Sequence, residues 1–485
     1  MGMRVEGIRG RVRGESLLRR ARVALAAIAA AGAPLALAFV TLSASFSVRA
    51  NGDPLTGILA PGGAAFGGAV IAERSPYRGG GAQFDFLPIY VYEGDYFYLH
   101  STGAGFKLGD SSNGPRVDAF IRRRFEGTPY HNPPSSLDGM ARRDVGVDGG
   151  LSAEMGGAWG NAFIEVLRDV SQTSHGTEWR LGYRYATRYR NAWLRPYAVL
   201  NWRNAALNDY YYGVRPEEAT LDRPAYAAGS GFAPEAGVHA LYSLSERWSL
   251  IAGASLKYWP SAVGDSPIAG NRLQWQAFAG VGWNLTPEKK DWVKSPPLLV
   301  RAYYGASTDC NLINIIEGGC ATVWTKDHTA LAGFEIGRPL IERMNGWGFD
   351  VNAWVGLQRH FEDGNQPDFW SIRAYIKPLF YGFPWDSKVR TRVGLGLGLS
   401  WAPRIPFSEQ RDLTSKNSNT SKLLQTFDPT IDVSVGDIVG RKDWHDTYFG
   451  FGVSHRSGIF GASKLYGNVD GGSNYIYMYL EGRFN

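Results

Sequence analysis

The chain has 485 residues, of which 51 are Lys or Arg and 45 Asp or Glu. The excess of six positive charges lies in the first 50 residues, where eight Arg meet two Glu; residues 51–485 carry 43 charges of each sign. The pI near 9.1 therefore belongs to the leader, and the balanced remainder excludes the basic footprint by which a folded domain neutralises nucleic-acid phosphates.

A basic segment, the apolar run from Val23 to Leu42 and the small-residue stretch Ser47-Val48-Arg49-Ala50 read as a secretory signal peptide over residues 1–50, cleaved near Ala50. A retained membrane anchor is the alternative, because the run is long for a signal and is interrupted by Gly32 and Pro34. The Arg19-Arg20 pair also admits the twin-arginine route. Beyond the leader no run approaches the roughly 18 apolar residues that a spanning helix needs, so any crossing is made by strands. With 61 Gly, 16 Trp, 25 Tyr and 24 Phe, the composition suits a barrel with aromatic girdles, and a soluble β-sandwich would share it.

Alternating segments separated by Gly, Pro, Asn and Asp clusters recur along the chain, about twelve in the first half and eight in the second. In the first half, Trp248, Leu250, Ala252, Ala254, Leu256 and Tyr258 share one strand face, with Ser249, Gly253, Ser255 and Lys257 on the other. Aromatic residues at both ends of that apolar face suit a strand that meets two membrane interfaces. The charged, proline-bearing stretch NLTPEKKDWVKSPP, from Asn284 to Pro297, follows as a linker or broad turn, assigned to residues 286–298. Next come the only cysteines, Cys310 and Cys320, flanking a loop in an exported chain; a disulfide is the expected pairing, and two free thiols are the alternative. The eight scattered His supply no metal-ligand spacing, and no cofactor or metal is expected.

In the second half, Val389, Thr391, Val393, Leu395, Leu397, Leu399 and Trp401 face one way, and Arg390, Arg392, Gly394, Gly396, Gly398 and Ser400 the other. An apolar row opposite buried Arg implies an oily exterior and a polar lumen. Polar inner faces such as Arg390 and Arg392, or Arg122, Arg124 and Glu126, either line a pore or fill a narrow barrel with paired charges. The last strand separates Ile476, Met478, Leu480 and Phe484 from Tyr475, Tyr477, Tyr479, Glu481 and Arg483. Phe484 resembles the terminal aromatic that the barrel-assembly machinery recognises, with Asn485 after it.

The pieces YYGVRPEEA, RPAYAAGSGF, the strand that begins at Trp248 and the closing GDSPI resemble the signature region of the MipA/OmpV family of outer-membrane proteins. The resemblance spans about residues 62–285. It implies an all-β transmembrane antiparallel β-barrel in the outer membrane of a Gram-negative cell, in contact with lipopolysaccharide. It also implies a scaffold for cell-envelope enzymes, docking a periplasmic murein hydrolase and a synthase. Two consecutive barrels of about twelve and eight strands are expected, over residues 51–285 and 299–485; one barrel of about twenty strands is the competing architecture.

Near the end of the chain, Val453-Ser454-His455-Arg456-Ser457 and the GIFGASKLYGNVDGGSNYIYMYLEGRF that follows are similar to the motif of the PagL-like lipid A deacylases. That resemblance implies acyl-ester hydrolysis by Ser457 as nucleophile, His455 as general base and an acid, for which Asp470 is the nearest candidate. Glu481 is another carboxylate, but its parity turns it into the lumen. Parity directs His455 and Ser457 toward lipid. The alternative is that His455 and Arg456 form an interfacial pair reaching lipid phosphates. A third class of function is a passive channel for small solutes.

Overall fold

The computed structural model describes residues 64–94, 96–109, 115–127, 133–285, 296–323, 325 and 327–484. The expected signal peptide and residues 286–295 of the expected linker lie outside them. Thirteen strands come first: β1 (Ala64–Arg74), β2 (Ala82–Glu93), β3 (Phe97–His100), β4 (Gly103–Gly109), β5 (Arg116–Arg123), β6 (Val147–Gly157) and β7 (Gly160–Asp169). β8 (Thr177–Arg184), β9 (Thr187–Tyr189), β10 (Ala192–Arg203), β11 (Gly231–Ser243), β12 (Trp248–Tyr258) and β13 (Leu273–Asn284) complete this set. Eight more follow: β14 (Leu298–Thr308), β15 (Ala330–Ile341), β16 (Phe349–Phe361), β17 (Phe369–Phe380), β18 (Thr391–Trp401), β19 (Leu423–Ser434), β20 (Thr447–Ser457) and β21 (Gly472–Phe484).

Each set closes on itself through antiparallel pairs. β1 pairs with β13 from Ala65↔Asn284 to Glu73↔Gln276, and β10 with β11. β8 and β9 pair successive stretches of one edge of β10 and act as one wall strand, so the first barrel has twelve. β14 pairs with β21 along its length and closes a second, eight-stranded barrel. The chain thus forms two barrels, and the single barrel of about twenty strands is not adopted. Among the described residues no helix is long and apolar enough to cross a membrane.

The period-two alternation decides which side chains meet lipid. On β12, Trp248 (49 % exposed), Leu250, Leu256 (52 %) and Tyr258 point outward while Ile251 is buried. On β21, Met478 and Leu480 are exposed, and Tyr475, Tyr477 and Tyr479 are buried in the lumen. β1 starts and β13 ends at the end of the first barrel that carries short turns such as 158–159 and 244–247; the connections 204–230 and 259–272, with residues 133–146, cover the other end.

The second lumen is filled by charge. Arg301, Arg373, Lys377 and Arg392 face Glu335, Asp428, Asp432 and Glu481. Asp428 alone accepts from Lys377 at 2.9 Å, Arg373 at 3.0 Å, Arg301 at 3.3 Å and the Tyr477 hydroxyl at 2.7 Å. Four cations against four acids leave no net charge, and the ring of Tyr303, Tyr375, Tyr477 and Tyr479 hydroxyls closes the remaining space. This arrangement is a plug, as expected of an eight-stranded barrel. It also accounts for the glycine face of GLGLGLS: a Cβ on Gly396 would lie 2.8 Å from both Asp428 Cβ and a Tyr375 ring carbon.

Candidate active site and the seam between the barrels

β20 runs without a bulge through the His455 region, with Phe427↔His455 on one side and His455↔Asn474 on the other. Phe449, Phe451, His455 and Ser457 share the outward face, Phe449 and Phe451 exposed and His455 and Ser457 half-buried, while Ser454 and Arg456 are buried inward. Arg456 donates to Glu409 Oε2 at 2.9 Å and to the Ser400 carbonyl at 2.9 Å. It therefore serves the interior, and it does not form a lipid-facing pair with His455.

His455 Nδ1 lies 2.6 Å from Asn474 Oδ1. Asn474 Nδ2 donates to the Cys310 carbonyl at 3.0 Å, which orients the amide so that its oxygen faces the imidazole. The proton then sits on Nδ1, and Nε2 is left as a base. The His455 ring also packs edge-on to Phe427, with ring centroids 6.4 Å apart. Ser457 follows two positions along the same face; in this structure it makes no hydrogen bond with His455. The carboxyl candidate Asp470 is exposed in the β20–β21 connection, where its backbone N–H donates to Ser418 Oγ at 2.8 Å. No contact joins Asp470 to His455, and the second carboxylate, Glu481, is held in the lumen by Arg301 and Arg392. The imidazole is thus oriented by an amide, as in the Cys-His-Asn variants of the hydrolytic triad. Cys310 and Cys320 are disulfide-bonded with Cα atoms 5.8 Å apart, which tethers the loop that carries the carbonyl partner of Asn474.

The same β20–β21 connection does a second job. β2 pairs with β3 only over Val91–Glu93, and the short β3–β4 hairpin stands between β2 and β5 only at the short-turn end. The opposite half of the first barrel's wall therefore has a notch beside β2, and residues of the second barrel occupy it. Phe86 N–H donates to the Ala462 carbonyl at 3.2 Å, and Lys464 N–H to Asp85 Oδ1 at 2.7 Å. The Tyr90 and Tyr466 hydroxyls meet at 2.7 Å, and Lys464 Nζ is ion-paired with Glu73. Leu87, Ile89, Val91 and Leu99 join Leu413, Leu424, Leu465, Tyr466 and Val469 in one apolar core. Arg123 also donates across the seam, to Ser421 Oγ at 3.2 Å, and Lys422 donates to the Ser171 carbonyl at 2.9 Å.

The residues of YYGVRPEEA and RPAYAAGSGF lie in the 204–230 connection and the first two positions of β11, where they build a cap over the long-loop end of the first barrel. The helix Ala205–Tyr212 is capped by Asn204, whose side chain accepts from the Leu207 N–H. Tyr211 and Tyr212 are buried with Tyr77, Trp259, Val263 and Ile268. Glu218 receives Arg143 Nη1 at 2.8 Å, the Ala141 N–H at 2.9 Å and the Arg215 N–H at 3.1 Å. Burial pushes the Glu218 carboxyl up, but Arg143 and these backbone donors outweigh it and hold the pKa down at about 2. A depressed carboxylate stabilises the cap at pH values above its unfolded pKa, and this contribution is lost as pH falls through about 2. Protease cleavage within 204–230 is accordingly expected to rise as pH falls from about 4.3, measured with an acid-active protease. Glu218→Gln should cleave at the same elevated rate across that range, and a wild-type rate independent of pH would remove this role for Glu218.

The polar lining of the first lumen is also paired. Arg122 and Arg180 share Glu165, at 3.2 and 2.9 Å, and Arg124 meets Asp148 at 2.7 Å and Glu178 at 2.6 Å. Glu126 receives both terminal nitrogens of Arg203 at 2.6 Å. Sequence parity assigned Arg122, Arg124 and Glu126 to the interior, but their partners lie on other strands and become visible only with the register.

Two self-closed antiparallel barrels with apolar, aromatic-edged exteriors and charge-paired interiors define an outer-membrane β-barrel protein. Over its first barrel, residues 66–285, the chain is similar to the family described as MltA-interacting protein MipA. It is 26 % identical over 220 residues to the putative outer membrane protein YiaT of Escherichia coli K12, covering 45 % of this chain and 89 % of that one. Outer membrane protein OmpV of Vibrio cholerae is 26 % identical over 196 residues, 40 % of this chain and 76 % of the relative. The MltA-interacting protein of Escherichia coli K12 is 26 % identical over 216 residues, 43 % and 85 % of the two chains. The second barrel lies outside the residues that match the family.

Proposed function

We propose that the first barrel anchors murein-processing enzymes at the inner face of the outer membrane. The observation that carries this reading is the similarity of the first barrel to a relative named MltA-interacting protein. The partner would be a periplasmic murein hydrolase or synthase, held by the short-turn end. Export by a cleaved signal peptide, folding by the barrel-assembly machinery and contact with lipopolysaccharide belong to the same reading. A photo-crosslinking residue in the 244–247 turn should give an adduct containing a murein enzyme in intact cells. Crosslinks to the barrel-assembly machinery alone, or none from any short turn, would count against the scaffold.

A second reading is favoured by one contact, the His455–Asn474 hydrogen bond beside Ser457 on a lipid-facing wall. In this reading Ser457 Oγ attacks an acyl-ester carbonyl of a leaflet lipid such as lipid A, and His455 Nε2 takes its proton. The proton passes to the departing alkoxide, and water then releases the fatty acid from the acyl-enzyme. Asn474 holds the imidazole in place as a positioning residue, the role for which Asp470 is the carboxyl candidate. Mass spectrometry of lipid A should show loss of one acyl chain with the wild type, none with Ser457→Ala, and a rate lower by about 10²-fold or more with Asn474→Ala. Asp470→Asn should leave the rate unchanged if the amide orients the base. Wild-type spectra identical to those of Ser457→Ala would remove the hydrolase.

A further inference from the structure

The lumen of the first barrel holds a cavity of about 340 Å³, bounded in part by Phe163, Tyr197 and Phe278. Arg184 and Arg195 line the same cavity. Other cations along it, such as Arg122, Arg124 and Arg180, are matched to carboxylates, as described above. Arg195 is different. β10 places it opposite His239 of β11, and its guanidinium makes no hydrogen bond or ion pair among the described residues. Its charged neighbours are Arg184 and Glu154, and Glu154 is already held by Arg184 Nη2. Arg184 stacks on the Phe163 ring at 4.8 Å, and its buried Nε has no acceptor.

A half-buried guanidinium with its whole fork of donors free, beside a buried Arg184 Nε that has no acceptor, presents donors that an anion would complete. We propose that this cavity is a binding site for a small organic monoanion, a carboxylate with an apolar or aromatic body. The carboxylate would lie on Arg195, taking two parallel N–H donors, with Arg184 Nε as a further donor. One uncompensated cation calls for one negative charge, which favours a carboxylate over a dianionic phosphate. The rings of Phe163, Tyr197 and Phe278 would cover the body, and the volume lies at the small end of ligand pockets. This site is independent of the murein-enzyme and hydrolase readings.

The test is isothermal titration calorimetry of the folded full chain in detergent, with benzoate as probe and benzyl alcohol as its neutral counterpart. Benzoate is expected to bind saturably and at least about tenfold tighter than benzyl alcohol, the factor that one charge-assisted contact of about 1.4 kcal/mol supplies. Arg195→Met should lose at least that tenfold while the gel mobility of the unheated protein still reports a folded barrel, because no partner of Arg195 is stranded. Arg195→Gln, which keeps a polar side chain, serves if the Met variant does not fold, with the same loss expected. No benzoate binding, equal binding of the two probes, or benzoate binding unchanged in a folded Arg195 variant would overturn the proposal.

Discussion

Asp428→Ala should lower the unfolding free energy of the chain by about 3–5 kcal/mol, the scale of removing one partner from a buried ion-pair network. Three cations converge on this carboxylate, and Arg373 and Lys377 are fully buried. With Asp428 gone, Lys377 has no other acid within ion-pair distance among the described residues, and the second lumen carries an uncompensated positive charge far from water. Urea unfolding in detergent, followed by the gel mobility of unheated samples, gives the number. Asp428→Asn keeps the volume and an acceptor but removes the charge, so most of the loss should persist. A shift of less than about 1 kcal/mol, the scale of an exposed ion pair, would mean that the network is wet and the plug reading wrong.

Tyr466→Ala is the second large effect. The side chain is fully buried at the seam, hydrogen bonded to Tyr90 and packed in the core shared by the two barrels. Truncating a buried aromatic costs about 3–5 kcal/mol. Here the loss falls on the attachment of one connection to its notch, so local opening should respond before global unfolding does. Trypsin cleavage after Lys464 should be slow in the wild type, because Lys464 is paired with Glu73 and backbone-bonded to Asp85, and should accelerate by orders of magnitude in the variant. Both barrels should still migrate as folded species. Equal resistance of the two proteins would show that the connection does not depend on its seat in the wall.

Much of the wall was legible in the sequence because one variable, strand parity, fixes it. Outward Trp248, Leu250, Leu256 and Tyr258, inward Arg392 and Glu481, and lumen-facing Tyr475, Tyr477 and Tyr479 all follow from alternation. Parity also turns His455 and Ser457 to the outer face. Pairing between strands is a different kind of information. Asn474 lies 19 residues after His455, and only the β20–β21 register makes them neighbours, whereas Asp470, nearer along the chain, does not touch the imidazole. The seam was equally hidden. Nothing local in Phe97–Gly109 says that its hairpin leaves the rest of β2 without a neighbour. The pieces YYGVRPEEA and RPAYAAGSGF resemble a family signature without revealing a cap, because the work of Glu218 and Arg223 is done on residues 136–143, far away in the chain.

The central claim is that two separately closed barrels are held together by the β20–β21 connection lodged in the first barrel's wall. Cutting the folded chain at a protease site inserted between residues 286 and 295 tests it most directly. Both fragments should keep the gel mobility of folded barrels and should co-elute in detergent, and Tyr466→Ala should let them separate. If the single cut abolished the folded form of both fragments, the strands would belong to one barrel; if intact wild-type fragments separated at once, the seam would not hold them.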